Sequence, residues 1–244
     1  MSKRFRLIMG KNCIQEVLKA SPDRVVRVFT AQKDVKDPLL KSLRQHAIPI
    51  TIKIKQDLNQ MVKSESHQNF VAEIKEKHQP TLEEFLKHQD NKSQSLVLML
   101  DSVYDPQNIG AILRSAECFG VDLVIFSKNR GGDITPIVSK VSCGASELLP
   151  ILKVANLADT MAKLQKEGFW VVCAHGAEDS TPINDFSFPE KTLLIVGSEG
   201  EGIQPLIRKK ADFNVSIPMY GQIDSLNVSQ ATSLFLFSYR QNKK

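Results

Sequence analysis

The chain has 244 residues, 42% of them hydrophobic and 24% charged, with a net charge of +5. These proportions exclude wholesale disorder and leave room for one large domain, or a large one with a small one. No apolar run approaches the roughly 18 residues a membrane helix needs; 96–100 is strand-sized. Only Leu7, Ile8 and Met9 separate the basic start from Gly10, too few for the apolar core of a signal peptide, so a cytoplasmic protein that does not meet a membrane is expected.

In chain order, the apolar periodicity predicts a helix over 13–19, a strand over 25–30, a helix over 37–46 and a strand over 48–54. A helix near 57–62 and a strand over 70–74 complete a small α/β unit. Residues 77–95 are polar with three large apolar side chains and read as a linker. Beyond it come a strand over 95–100, a helix over 109–119 closed by Gly120, a strand over 123–126, a helix over 137–142, a strand over 149–154 and a helix over 157–167. Strands over 170–174, 192–196 and 213–217, a short helix near 205–210 and a final helix over 226–241 follow. Apolar strands alternating with helices indicate an α/β fold built on a parallel sheet.

The charge is divided along the same boundary. Residues 1–92 hold 18 Lys+Arg against 11 Asp+Glu, whereas residues 93–244 hold 14 against 16. A basic first third suits a polyanionic partner and equally suits a solvated lysine-rich surface. Cys13, Cys118, Cys143 and Cys173 form no C-x-x-C pair, and the five histidines show no metal-ligand spacing. The cysteines are read as packing residues, and no metal is expected.

Three stretches at strand ends carry chemistry, where parallel sheets place ligand sites. The first is Asp101-Ser-Val-Tyr-Asp-Pro-Gln-Asn-Ile-Gly-Ala-Ile-Leu-Arg114. Asp105-Pro106 makes a turn, Asn108 is placed to cap the helix, Gly110 permits close approach, and Arg114 lies one turn into the helix. A capped helix with an exposed arginine accounts for the same residues. The second is Leu193-Leu-Ile-Val-Gly-Ser-Glu-Gly-Glu-Gly202, a buried strand running into Gly197, Gly200 and Gly202 around Glu199. Its G-x-x-G-x-G spacing is neither the dinucleotide fingerprint nor a Walker loop. Either a ligand meets the backbone there or the loop is a plain tight turn. The third runs from Ile217-Pro-Met219 to Ser225-Leu-Asn-Val-Ser229, where Ser225 suits a helix cap and the polar start of the helix suits a ligand.

Taken in this order, the three stretches closely resemble the SpoU/TrmH family of RNA ribose 2′-O-methyltransferases in the SPOUT superfamily. Asn-Ile-Gly-Ala-Ile-Leu-Arg-Ser-Ala at 108–116, Ile-Val-Gly-Ser-Glu-Gly-Glu-Gly-Ile at 195–203, and Ile-Pro-Met at 217–219 with Ser-Leu-Asn-Val-Ser at 225–229 look like its three motifs. Residues 5–18 and His67-Gln-Asn-Phe-Val-Ala72 resemble the small substrate-binding domain, related to ribosomal protein L30e, of the subgroup that methylates a guanosine in large-subunit rRNA. Asn12 stands where a histidine is common.

The resemblance implies an L30e-like RNA-binding domain over 1–76, a linker over 77–94, and a knotted methyltransferase domain over 95–244. It implies a homodimer that binds S-adenosylmethionine and acts on 23S rRNA or a pre-ribosomal particle. Gly197, Gly202, Ile217, Met219 and Leu226 are the expected cofactor contacts, and Pro218 shapes their pocket. Arg114 is the expected catalytic residue, stabilising negative charge in the partner protomer's site, with Asn108, Glu199, Ser225 and Asn227 positioning it and the ribose. A tRNA or another rRNA site as substrate, and a non-catalytic ribosome-assembly factor, are the alternatives.

Overall fold

The computed structural model describes residues 5–34, 36–89, 92–176, 180–198 and 202–241. Strands and helices follow in chain order as β1 (Phe5–Met9), α1 (Lys11–Ala20), β2 (Val25–Thr30), α2 (Pro38–Gln45), β3 (Ile50–Ile52), α3 (Lys55–Val62), β4 (Phe70–Lys75) and α4 (Leu82–Lys87). Next come β5 (Ser95–Asp101), α5 (Pro106–Cys118), β6 (Leu123–Ser127), α6 (Pro136–Val141), α7 (Ala145–Leu148), β7 (Ile151–Val154), α8 (Leu157–Lys166) and β8 (Trp170–Ala174). The chain ends with β9 (Thr181–Pro182), β10 (Lys191–Gly197), α9 (Pro205–Lys210), β11 (Phe213–Ser216) and α10 (Val228–Gln241). It divides into two units, Met1–His78 with Asp133–Leu148, and Gln79–Gly132 with Leu149–Lys244.

The first unit has a mixed four-stranded sheet in the order β1-β4-β2-β3. β4 runs antiparallel to both β1 and β2, and β3 is parallel to β2. Alternate strand residues such as Ile8, Val28, Phe70 and Ile74 bury against Ile14, Val17 and Leu43 from α1 and α2. Asp37 starts α2 by accepting the Leu39 N–H, with Pro38 at the first helical position, where its missing N–H costs nothing.

By its contacts the segment 133–148 groups with this first unit. Ile137 of α6 packs against the cluster of Met9, Leu58, Val62 and Val71, and a buried ion cluster adds to this. Glu147 on α7 is 2% exposed. Its carboxylate pairs with Arg6 and, at 2.9 Å, with Arg24, and accepts from the hydroxyls of Ser139 and Ser146. Arg24 also donates to the carbonyls of Lys75 and Glu147, so one guanidinium ties β4 to α7. Nothing local in the sequence marks these side chains as partners.

In the second unit seven strands lie in the order β7-β6-β5-β10-β8-β11-β9, and every pair is parallel. β5 is buried along its whole length, as its continuous apolar run Leu96–Leu100 requires. Val97, Met99, Leu193 and Ile195 form a core with Met161 and Leu164 of α8 and Ile207 of α9. α5 packs against α10, and α10 touches β8 and β10.

The supposed linker contains a helix, α4. Thr81 and Glu84 form a complete capping box, and Phe85 is buried in the core of the second unit. Burying that ring contributes roughly 1.5–3 kcal/mol, which outweighs the polar composition of its neighbours. α5 starts three residues before the expected point, because Asp105 caps it by accepting from the N–H groups of Gln107 and Asn108, with Pro106 at the first position. Asn108 is therefore inside the helix and is not its cap. β1 pairs with β4 over all five of its residues, although no strand was expected there. Cys118 is exposed, not packed; burial pushes the Cys173 thiol up to about 12, with Asp101 adding to the rise. Among the described residues no helix is long and apolar enough to cross a membrane. No group of three or more His, Cys, Asp or Glu among them is placed to hold a metal ion.

Candidate active site

The carboxyl end of β10 lies beside that of β5, with Gly197 in register with Asp101. Beyond Gly197 the chain folds back on itself, since Ser198 bridges to Gly202 and Gly202 donates its N–H to the Ser198 carbonyl at 3.1 Å. Gly202 has φ +66°, a conformation glycine adopts at little cost. A side chain on Gly197 would meet the Gly202 carbonyl carbon at 2.2 Å and its oxygen at 2.4 Å. Glycine at 197 is thus a steric requirement of the loop. Glu199 and Gly200 lie outside the described residues.

Where this loop leaves, a buried carboxylate holds it. Asp101 is 0% exposed, and it accepts the Gln204 backbone N–H and side-chain amide at 2.7 Å each and the Ser102 hydroxyl at 3.1 Å. A fully buried carboxylate needs this many donors. The clamp joins the end of β5 to the exit of the glycine loop. Neither Asp101 nor Gln204 was singled out from the sequence; the available signal was an acid directly after the apolar run 96–100.

A cavity of about 220 Å³ opens beside this loop, lined by Gly197, Ser198, Ile217, Met219, Ser225 and Leu226 among others. Four expected cofactor contacts, Gly197, Ile217, Met219 and Leu226, therefore share one cavity with Ser225. Gly202 and Pro218 do not line it; Gly202 backs the wall through its bridge to Ser198. The walls contributed by Val215, Val228 and Phe235 are apolar, and the strand-end backbone supplies the polar edge.

Asn108 and Asn227 meet at the junction of α5 and α10, where the Asn227 side-chain amide donates to Asn108 Oδ1 at 2.9 Å. Asn227 Oδ1 accepts from the Ser229 N–H and hydroxyl. Asn227 therefore serves as the cap of α10, the role that Ser225 was suited to; the Ser225 hydroxyl donates instead to Asp224. The two helices are tied again by Ser115 with Ser233 at 2.7 Å, and by Arg240, which donates to the carbonyls of Phe119 and Gly120 at the end of α5. Arg114 projects from α5 to solvent and does not line the cavity. Among the described residues its guanidinium has no hydrogen-bond or ion-pair partner.

Gly197→Ala is expected to displace the Gly202–Ile203 backbone and weaken binding at this cavity at least about tenfold, since the new Cβ has no flexible neighbour to push aside. Titration of the variant with S-adenosylmethionine checks this, and unchanged affinity would mean that the loop is not part of the binding wall.

The fold and cavity define a class: an α/β protein whose ligand cavity lies beyond the carboxyl ends of a parallel sheet, on a glycine-bearing strand-to-loop turn. Residues 95–237 match the model of the SpoU rRNA Methylase family, and residues 7–80 match that of the RNA 2′-O ribose methyltransferase substrate-binding domain. The chain belongs to the SpoU rRNA Methylase family. It is 37% identical to the 23S rRNA (guanosine-2′-O-)-methyltransferase RlmB of Coxiella burnetii, over all of this chain and 98% of that protein. It is 39% identical to the protein of the same name from Haemophilus ducreyi, over 97% of each. Among solved structures, the SpoU methyltransferase AviRb of Streptomyces viridochromogenes, in complex with the cofactor AdoMet, superposes with a TM-score of 0.79 at 24% identity, covering 97% of this chain and 90% of that one.

Proposed function

We propose that the chain transfers a methyl group from S-adenosylmethionine to the ribose 2′-hydroxyl of a guanosine in 23S rRNA. The observation that carries this reading is its full-length similarity to proteins of that name, joined to a cavity built from the motif residues Gly197, Ile217, Met219 and Leu226. The apolar walls and the strand-end backbone suit a flat heterocycle with hydrogen-bonding edges, which fits the adenine of this cofactor. When bound, the cofactor supplies a methyl group on a sulfonium, an electrophile that needs no metal.

The chain's own residues must then favour an alkoxide-like oxygen on the ribose. Arg114 holds only donors and stays charged, so its part is to stabilise developing negative charge and to hold a neighbouring phosphate, not to take a proton. Its absence from the lining of its own chain's cavity and its exposed guanidinium support a homodimer in which each Arg114 serves the partner's site. The Asn108–Asn227 bond fixes the α5–α10 pair from which Arg114 projects, Ser225 sits at the cavity to orient the ribose, and Glu199 is assigned the same positioning role. Membership of residues 95–237 in the SpoU rRNA Methylase family supports a knotted chain path in the second unit. The basic first unit meets rRNA or a pre-ribosomal particle, and this substrate implies residence in the cytoplasm.

The test is methyl incorporation from labelled S-adenosylmethionine into unmodified total RNA, with mapping of hydrolysis-resistant positions. Label at one guanosine of 23S rRNA is the expected result; label in tRNA, or none in naked RNA and in precursor particles, overturns it. Replacing the exposed Lys33, Lys36, Lys41 and Lys63 by Gln, with Arg6 and Arg24 kept, is expected to lower the slope of log affinity against log salt by about 0.7–0.9 for each phosphate that the chain no longer neutralises. A slope that does not change would remove the electrostatic role of this unit.

A further inference from the structure

The loop joining β11 to α10, residues 217–227, holds no strand or helix. Both of its ends line the cavity, Ile217 and Met219 on one side, Asp224 to Leu226 on the other. The stretch between them, 220–223, does not line it and so forms part of its rim. That rim carries two large side chains that the chain's own core leaves uncovered. Tyr220 is 92% exposed and Ile223 77%. Among the described residues the Tyr220 ring meets no other ring or cation, and its hydroxyl has no hydrogen-bond partner. The half-exposed rings of Trp170 and Phe237, by contrast, rest against Phe213 and Phe119.

We propose that Tyr220 is a substrate contact of the methyl transfer, its ring stacking on the base of the nucleotide whose 2′-hydroxyl receives the methyl group. This rests on the methyl-transfer reading and adds how that nucleotide is held. An enzyme that selects one guanosine among many reads an unstacked base, and such bases stack on aromatic side chains. In a nucleotide the base and the 2′-hydroxyl stand on adjacent ribose carbons. With the hydroxyl at the mouth of the cavity, the base therefore lies on the rim and not inside. Tyr220 directly follows Met219 of the lining, and consecutive Cα atoms are about 3.8 Å apart, so its ring is within reach of that base. The adenine of the cofactor has its own apolar walls within the cavity, which leaves a ring outside them for the RNA. Ile223 adds apolar surface to the same rim.

The experiment compares the full-length wild-type chain with Tyr220→Ala, Tyr220→Leu and Tyr220→Phe. The substrate is the 23S rRNA or precursor particle that takes up label in the test above. Steady-state kcat/KM for RNA is read beside the calorimetric dissociation constant of S-adenosylmethionine and the sedimentation of each chain. Tyr220→Ala is expected to lower kcat/KM about tenfold or more, as loss of one stacked base requires, with cofactor affinity within about twofold. Tyr220→Leu, apolar but without a π-face, loses nearly as much, whereas Tyr220→Phe stays within about twofold of wild type. The exposure of the ring means that none of the three should shift the melting temperature. Unchanged kcat/KM in the alanine variant, or full activity in the leucine variant, overturns the proposal. An equal loss of cofactor affinity would make Tyr220 part of the cofactor wall, and altered sedimentation would make it a contact between copies of the chain; either result also overturns it. A wild-type chain that methylates no RNA overturns the methyl-transfer reading itself, an outcome separable from failure of Tyr220 alone.

Discussion

Arg114→Ala is expected to lower kcat by about 10²–10³-fold or more, with the dissociation constant for S-adenosylmethionine changed less than about twofold. Removing one donor aimed at a developing oxyanion costs this much in enzymes where it has been isolated. The separation between turnover and affinity follows from position, because Arg114 is exposed on α5 and does not line the cavity of its own chain. Single-turnover rates with excess enzyme, read beside calorimetric binding, check it. Equal loss of rate and affinity would make Arg114 a structural residue of the cavity. The dimer reading has its own consequence: mixing Arg114→Ala chains with chains carrying Gly197→Ala is expected to recover activity, because a mixed dimer then holds one site with both parts intact. No recovery would place Arg114 in the site of its own chain.

Glu147→Ala is expected to destabilise the first unit by about 3–5 kcal/mol, because it leaves Arg6 and Arg24 without the buried carboxylate that compensates them. Their side chains are only 23% and 11% exposed, so solvent cannot replace the missing partner at little cost. At about 4–8 °C per kcal/mol for a domain of this size, the first melting transition falls by more than about 10 °C. Glu147→Gln keeps the shape and the acceptor oxygen and is expected to lose less. Differential scanning calorimetry resolves the two units if they melt separately. A fall below about 1 kcal/mol in the alanine variant would place this cluster with ordinary surface ion pairs.

These two residues differ in how legible they were. Arg114 stands inside a contiguous stretch at 108–116, and the family resemblance of that stretch singled it out. Glu147 sits in a plain Ala-Ser-Glu-Leu sequence, and its partners Arg6 and Arg24 are more than 120 residues away. Pairing across such a separation is decided by the fold and leaves no local pattern. α4 is an intermediate case. Its capping box and the spacing of Leu82, Phe85 and Leu86 were visible, but polar composition outweighed them, because composition says nothing about which apolar residues find a core.

The sequence by itself determined the parallel α/β character of the second unit and the strands that bring the motifs to one end of it. Unbroken apolar runs such as 96–100 and 193–196 are stable only when both faces of the sheet are covered. It determined that glycines stand where β10 turns, and through the family resemblance it grouped Gly197, Ile217, Met219 and Leu226. Only the tertiary structure decided that Asp101 and Gln204 clamp the glycine loop, that Asn227 and not Ser225 caps α10, and that Asn108 is its partner. It alone brought Glu147 to Arg6 and Arg24. Local hydrogen-bonding preference and hydrophobic period act over a few residues and can be read along a chain. A buried polar group takes whichever donor the folded backbone brings within about 3 Å, and that donor can come from anywhere in the sequence.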